Sequence, residues 1–125
     1  MALTFVTATI ANPANTKKTT EVDFLVDSGA IYSVVAKATL RKLGIKPHSK
    51  KSFILANGTT VERSIGDVAF KYAGERGASP VIFGEKGDSS LLGAVTLEAL
   101  GLMLDPLRRE IRSLPMVLGG MRKRV

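Results

Sequence analysis

FLVDSGAIYSVV, residues 24–35, sets one carboxylate, Asp27, within a run of apolar and small residues. Burying a charge among apolar side chains is costly unless the charge is paired or used. Phe24, Leu25 and Val26 read as the end of a strand, and Ser28-Gly29 turn the chain at once. Ala30 to Val35, with its β-branched residues, reads as the next strand. A carboxylate on such a corner is held rigidly against apolar walls, as an acid or a base needs to be. Ser28 adds a hydroxyl, and Gly29 lets a backbone N–H approach the carboxylate closely. The same residues also suit an aspartate that caps an Asx-turn at a hairpin end. Three residues do not choose between these readings, so the flanking sequence has to.

Upstream, TFVTATIAN (residues 4–12) alternates polar and apolar positions and predicts a strand. NPANTKK (12–18) predicts a long connecting loop, and TTEVDFLVD (19–27) a second strand. Downstream, AKATLRKLG (36–44) carries good helix formers and ends in a glycine stop, which predicts a helix of about two turns. KSFILANGTTVERSI (51–65) predicts a hairpin about Asn57-Gly58, a strong two-residue turn signal. DVAFKYAGERGASPVIFG (67–84) predicts two more strands about AGERG. GEKGDSS (84–90) is a turn, with Asp88 a turn residue. In LLGAVTLEALG (91–101), Leu91-Leu92 end a buried strand, Gly93 permits close backbone approach, and a second short helix runs to Gly101. Asp105-Pro106 reads as a strand end, and residues 109–118 as a last strand with Pro115 at an edge. The two strand–corner–helix stretches echo each other, which fits either a duplicated unit or a shared helix-stop idiom. The tally is all-β: many short strands and two short helices at the spacing of a sandwich or barrel.

With 125 residues, the chain fits one domain over residues 1–118, followed by a basic tail over 119–125. The net charge of +7 comes from 18 Lys and Arg against 11 Asp and Glu. Much of the excess lies in residues 41–51 and at the end of the chain, including Arg122, Lys123 and Arg124. No aromatic residues interleave these clusters to stack on bases, so solvated surface is favoured over a nucleic-acid partner. The start of the chain has no basic n-region and too short an apolar run to span a bilayer, so no membrane association is expected. Without cysteine, disulfides and thiolate catalysis are excluded, and a cytoplasmic setting is the simpler expectation.

Elimination narrows the chemistry. The single histidine, His48, has no second His or Cys to complete a zinc site. No G-x-S-x-G elbow presents a serine to it, and no glycine-rich phosphate loop is present. No metal or cofactor is therefore expected. What remains is carboxylate chemistry, with Asp27 foremost.

FLVDSGAIYSVV resembles the active-site motif of the retroviral-type (retropepsin-like) aspartic proteases: two apolar residues, Asp, Thr or Ser, Gly, Ala, and then a strand. The resemblance continues in order. FILANGTTVERSI stands where that family has its flap, and SSLLGAVTLEALGL looks like its apolar-apolar-Gly corner followed by a helix. It covers residues 4–106, and the helix at 36–44 is more like the cellular and microbial relatives than the compact viral enzymes. The resemblance implies a retropepsin-like acid protease fold, a closed β-barrel-like single lobe that functions as a symmetric homodimer. It implies an aspartic endopeptidase that cleaves an extended polypeptide with water activated between two Asp27 carboxylates. By the same resemblance Ser28 stabilises the paired loops, Gly29 orients the carboxylate, and Ala30 lies on the substrate wall. Ala56, Asn57 and Gly58 would form the flap, and Leu91, Leu92 and Gly93 the corner behind the site. The alternative is a relative of the same fold that dimerises or binds peptides without cleaving them. Two departures stand out: Ser28 occupies a position where Thr is commoner, and the flap tip has one glycine where viral enzymes have several.

Overall fold

The fold comes from a computed structural model that describes residues 3–115. Alternation in the first stretch makes strand β1 (Phe5–Asn12), with Ala8 and Ile10 buried. Strand β2 (Asn15–Val26) returns antiparallel to it, with Phe24 and Val26 buried. Only Pro13 and Ala14 join them, because Asn12 pairs with Asn15. The long loop expected over residues 12–18 is thus a tight turn. The proline presets φ, and the Asn12 side chain accepts the Ala14 N–H at 2.9 Å. The lysines that suggested a loop are exposed strand residues.

After the Asp27 turn comes β3 (Ser33–Ala36), which begins three residues later than expected, and then helix α1 (Lys37–Lys42). Gly44, at φ +74°, ends the helix. Its N–H bonds to the Arg41 carbonyl, and the Ile45 N–H reaches back to that of Leu40, a paired arrangement that satisfies the last carbonyls. Leu40 anchors the helix in the core.

Strand β4 (Ser49–Ile54) pairs antiparallel with β5 (Thr60–Tyr72), and β5 with β6 (Glu75–Gly84). Residues 51–65 and 67–84 suggested a break near Gly66, yet β5 runs through it. A Cβ there would lie 2.7 Å from the Phe83 ring and 3.1 Å from the Lys46 carbonyl oxygen, so this glycine serves close packing. The two-residue hairpin forms at Ala73-Gly74, both at positive φ, which matches the twist of the flanking strands. Asn57-Gly58 instead sits within a five-residue loop between Ile54 and Thr60.

The chain continues through β7 (Leu91–Leu92), helix α2 (Ala94–Ala99), β8 (Leu102–Asp105) and β9 (Glu110–Ser113). The first seven strands make one sheet in the order β1-β2-β7-β3-β6-β5-β4, and β8 and β9 make a separate pair. Strand β1 bonds a second time, to β5 over Thr9 to Ala11, so the sheet folds back on itself. Strand β4 stays outside that contact as a free edge. The sheet is therefore strongly curled: β1-β2-β7-β3-β6-β5 return on themselves through the β1–β5 pairing, and β4 extends beyond it. Its interior holds Ile10, Phe24, Val35, Leu40, Phe70, Val81, Leu92 and Leu97, with the Phe24 and Phe70 rings 5.9 Å apart. Burying such side chains contributes roughly 1.5–3 kcal/mol each.

The last strand is shorter than the expected 109–118, and its remainder from residue 116 lies outside the described residues, as does the basic tail at 119–125. Among the described residues, no helix is long and apolar enough to cross a membrane.

Candidate active site

Asp27 follows β2 directly and is fixed by three hydrogen bonds, two to its backbone and one to its carboxylate. The parallel pairing of β2 with β7 carries on past the strand end, so the Asp27 N–H donates to the Leu92 carbonyl at 3.0 Å. The Asp27 carbonyl accepts the Ala30 N–H at 3.1 Å, and its carboxylate Oδ1 accepts the Gly29 N–H at 3.0 Å. The Asx-turn and the aimed carboxylate are one geometry: the turn is what points the side chain outward. A Cβ on Gly29 would sit 3.2 Å from Oδ1 and crowd that bond. Asp27, Ser28 and Gly29 are exposed, and Oδ2 has no hydrogen-bond partner among the described residues.

The corner at Leu91, Leu92 and Gly93 braces this turn from behind. The Ala94 and Val95 N–H groups, which open α2, donate to the carbonyls of Ala30 and Ile31 at 2.8 and 3.0 Å. These are donors that a helix start leaves without intrahelical partners. Contact is so close that a Cβ on Gly93 would lie 2.7 Å from the Tyr32 carbonyl carbon and oxygen. The Gly93 N–H donates to Ser33 Oγ at 2.9 Å. Ser33 Oγ in turn lies 2.6 Å from Thr96 Oγ1, which lies 2.8 Å from Ser79 Oγ. All three hydroxyls are buried and each is satisfied by the others, so they cross-link β3, β6 and α2 at little desolvation cost. Sequence reasoning missed this network. Its only local trace is a serine in an apolar strand and a threonine on the inner face of a short helix.

In front of Asp27 lies a cleft of about 760 Å³. Ile31, Tyr32, Val34, Ile82 and Leu91 form an apolar wall, and Phe53 to Ala56 with Val61 cover it from the β4–β5 hairpin. The structure thus brings Asp27, Gly29, Ala30, Ala56 and Leu91 to one cleft. Ser28, Asn57 and Gly58 lie on exposed surface outside its lining, and Leu92 and Gly93 are buried behind it. The hairpin tip is held by its own bonds: Gly58 N–H to the Leu55 carbonyl at 2.9 Å, and Thr59 N–H to Asn57 Oδ1 at 3.0 Å. Gly58 stands at φ +86° with open space around it, so glycine is needed there for backbone conformation alone.

An ion pair forms part of the cleft lining. Arg63 of β5 donates to both Asp88 carboxylate oxygens, Nε to Oδ2 at 2.9 Å and Nη2 to Oδ1 at 3.3 Å. Asp88 Oδ2 also accepts the Glu85 N–H at 2.8 Å, so Asp88 is a turn residue and an ion-pair partner at once. The Arg63 hydrogen bond holds the Asp88 carboxyl below its ordinary value, against a smaller opposing effect of desolvation. The same bond raises the Arg63 guanidinium. These residues are 25 apart in sequence, and nothing local pairs them. His48 contacts Asp67 at 3.1 Å and Ser49 at 3.0 Å, but none of the three lines the cleft. Among the described residues, no group of three or more His, Cys, Asp or Glu side chains could hold a metal ion.

A family model described as aspartyl protease matches residues 6–94. The chain belongs to the aspartyl protease family. This aspartyl protease family is part of the retropepsin-like clan, and the match begins in β1 and ends at the first residue of α2. The Asp27 turn, the β4–β5 hairpin and the Leu91-Leu92-Gly93 corner of this aspartyl protease domain all fall inside it. No curated protein matches the chain.

Proposed function

We propose that this aspartyl protease is an endopeptidase that hydrolyses extended polypeptides as a symmetric homodimer, with Asp27 of each protomer facing its twin. The observation that carries the reading is an exposed carboxylate on a rigidly braced turn, at the floor of an apolar cleft covered by a hairpin. Two carboxylates at hydrogen-bonding distance cannot both ionise, so the pair shares one proton. The ionised member takes a proton from a bound water, whose oxygen adds to the scissile carbonyl carbon. The protonated member gives its proton to the carbonyl oxygen. Collapse of the tetrahedral intermediate breaks the C–N bond: the leaving nitrogen takes up the proton first removed from water, and one hydroxyl of the intermediate returns its proton to the second carboxylate, which restores the pair with its one shared proton. No covalent intermediate is required.

Two further observations support the reading. Leu3, Phe5 and Ile31 are 58, 65 and 67% exposed. The Thr4 carbonyl bonds the Val26 N–H beside Asp27, so Leu3 and Phe5 flank the residue next to the turn in the paired strand and Ile31 follows the turn in the chain, which leaves exposed apolar surface for a second protomer. In this reading Ser28 bonds across the two turns, Ala30 lines the substrate wall, and the tip at Asn57-Gly58 closes over the peptide.

The test is cleavage of a broad peptide library at mildly acid pH by wild type and Asp27→Asn. Asparagine keeps the acceptor for the Gly29 N–H, so the variant should fold as wild type. It should lose at least about 10³-fold in kcat/KM. Sedimentation should show a dimer. A variant that cleaves like wild type refutes the role of Asp27, and peptide binding without turnover supports the non-catalytic alternative.

A further inference from the structure

The inner face of the flap hairpin is divided. Phe53 pairs with Val61, and two residues on, Lys51 pairs with Arg63. Residues two apart in a strand share a face, so the four side chains form one patch. Its apolar half points toward the tip and its cationic half toward the root. Phe53, Val61 and Arg63 line the cleft. Lys51 continues the row at the rim, where Nζ donates to the Tyr32 hydroxyl at 3.3 Å and sits 5.5 Å from the centre of the Tyr32 ring. Tyr32 is itself cleft wall, and the Phe53 ring meets it edge-on at 6.2 Å.

Like charges directly opposed across an antiparallel pair repel. At Arg63 the charge is offset by Asp88. Lys51 forms no ion pair among the described residues, and its contact is with a neutral phenol. One uncompensated ammonium therefore stands beside an apolar subsite. The Tyr32 hydroxyl, which accepts from Lys51, keeps its own O–H to donate.

From this juxtaposition we infer that Lys51 is a specificity-determining residue. The cleft selects peptides in which an apolar side chain, seated against Phe53 and Val61, is flanked by an aspartate or glutamate that reaches the Lys51 ammonium and the Tyr32 hydroxyl. This rests on the reading of the cleft as a peptide site. The net charge of +7 acts in the same sense, drawing acidic segments toward the protein at long range.

Binding tests the inference apart from catalysis. Fluorescent peptides with an apolar centre, in pairs that differ only by Glu or Gln at each flanking position, are titrated against the full-length Asp27→Asn protein near neutral pH and at low salt. At one position the Glu peptide should bind about fivefold more tightly, the scale of one part-exposed ion pair. Lys51→Met should abolish that ratio, Lys51→Glu should reverse it in favour of a lysine peptide, and high salt should shrink it. The inference is overturned if no peptide binds or no position shows a ratio. It is also overturned if Lys51→Met weakens Glu and Gln peptides equally, the result expected of a lysine that merely latches the flap to Tyr32. Absence of cleavage by wild type would count against the endopeptidase reading alone, since the binding ratio is measured with the Asn variant.

Discussion

The Asp27 turn and the tip of the β4–β5 hairpin are both short, exposed, glycine-containing turns at strand ends, but they are held in different ways. The Asp27 turn is bonded to residues more than sixty positions away: Leu92, Ala94 and Val95 grip its backbone, and Ser33, Thr96 and Ser79 lock the corner beneath it. Bonds at the hairpin tip run only between residues 55 and 59. Beyond the β5–β6 ladder at its base, which begins at Ile65, the hairpin meets the body through two long side chains, Lys51 on Tyr32 and Arg63 on Asp88, and through the edge-to-face contact of Phe53 with Tyr32. Under the proposed function, one region suits a fixed carboxylate and the other a cover that opens for a polypeptide. Exposure alone would have classed them together; the origin of the bonding partners separates them.

The sharpest way to break this contrast is to put alanine at one glycine in each region. Gly93→Ala drives a methyl group into the Tyr32 carbonyl, and it should lower unfolding free energy by about 3 kcal/mol in urea titrations. Gly58→Ala meets no atom within 4 Å, so only its positive φ opposes the change, at a cost of about 1 kcal/mol. Equal losses at the two sites would show that the corner is no more rigid than the tip.

Thr96→Val probes the lock itself. It leaves the Ser33 and Ser79 hydroxyls without their buried partner and should cost about 2 kcal/mol. A loss below about 0.5 kcal/mol in the same titration would mean that the hydroxyls contribute nothing to the brace.

The smallest effect belongs to the ion pair that tethers the β4–β5 hairpin. Arg63→Met should cost no more than about 1 kcal/mol, because the pair is part-exposed. Its pH dependence has a definite sign. The Asp88 carboxyl titrates below its ordinary value of 3.8 when folded, so it binds fewer protons in the folded state than in the unfolded one. The stability difference between wild type and Arg63→Met is then full above that value and fades as pH falls through the lowered one. Chemical denaturation from roughly pH 6 down to pH 2 reads it directly. A gap that stayed constant over this range would mean that Arg63 acts by packing and not through its charge.

Much of this molecule was legible because its signals are local. Gly44 and Gly101 mark the helix ends, both at positive φ, and the alternation in residues 4–12 marks a strand. Apolar-Asp-Ser-Gly marks the turn. Errors came where one local signal had two uses. The lysines at 17 and 18 looked like loop but are exposed strand, and Gly66 looked like a break but is a point of close packing. Asn57-Gly58 promised the tight hairpin that Ala73-Gly74 provides, because strand register fixes loop length and register is settled by distant pairings.

The division between chain and fold follows from range. Residue types and short spacings were enough to single out Asp27 as a candidate, to exclude thiolate chemistry, and to order turn, hairpin and corner along the chain. Each of those depends on neighbours a few residues apart. Packing alone joined Ser33 to Thr96, Arg63 to Asp88 and Lys51 to Tyr32, and it alone set Gly93 against the Tyr32 carbonyl. Those contacts link residues 19 to 63 positions apart, where no local preference acts and only the register of a curled sheet brings side chains together.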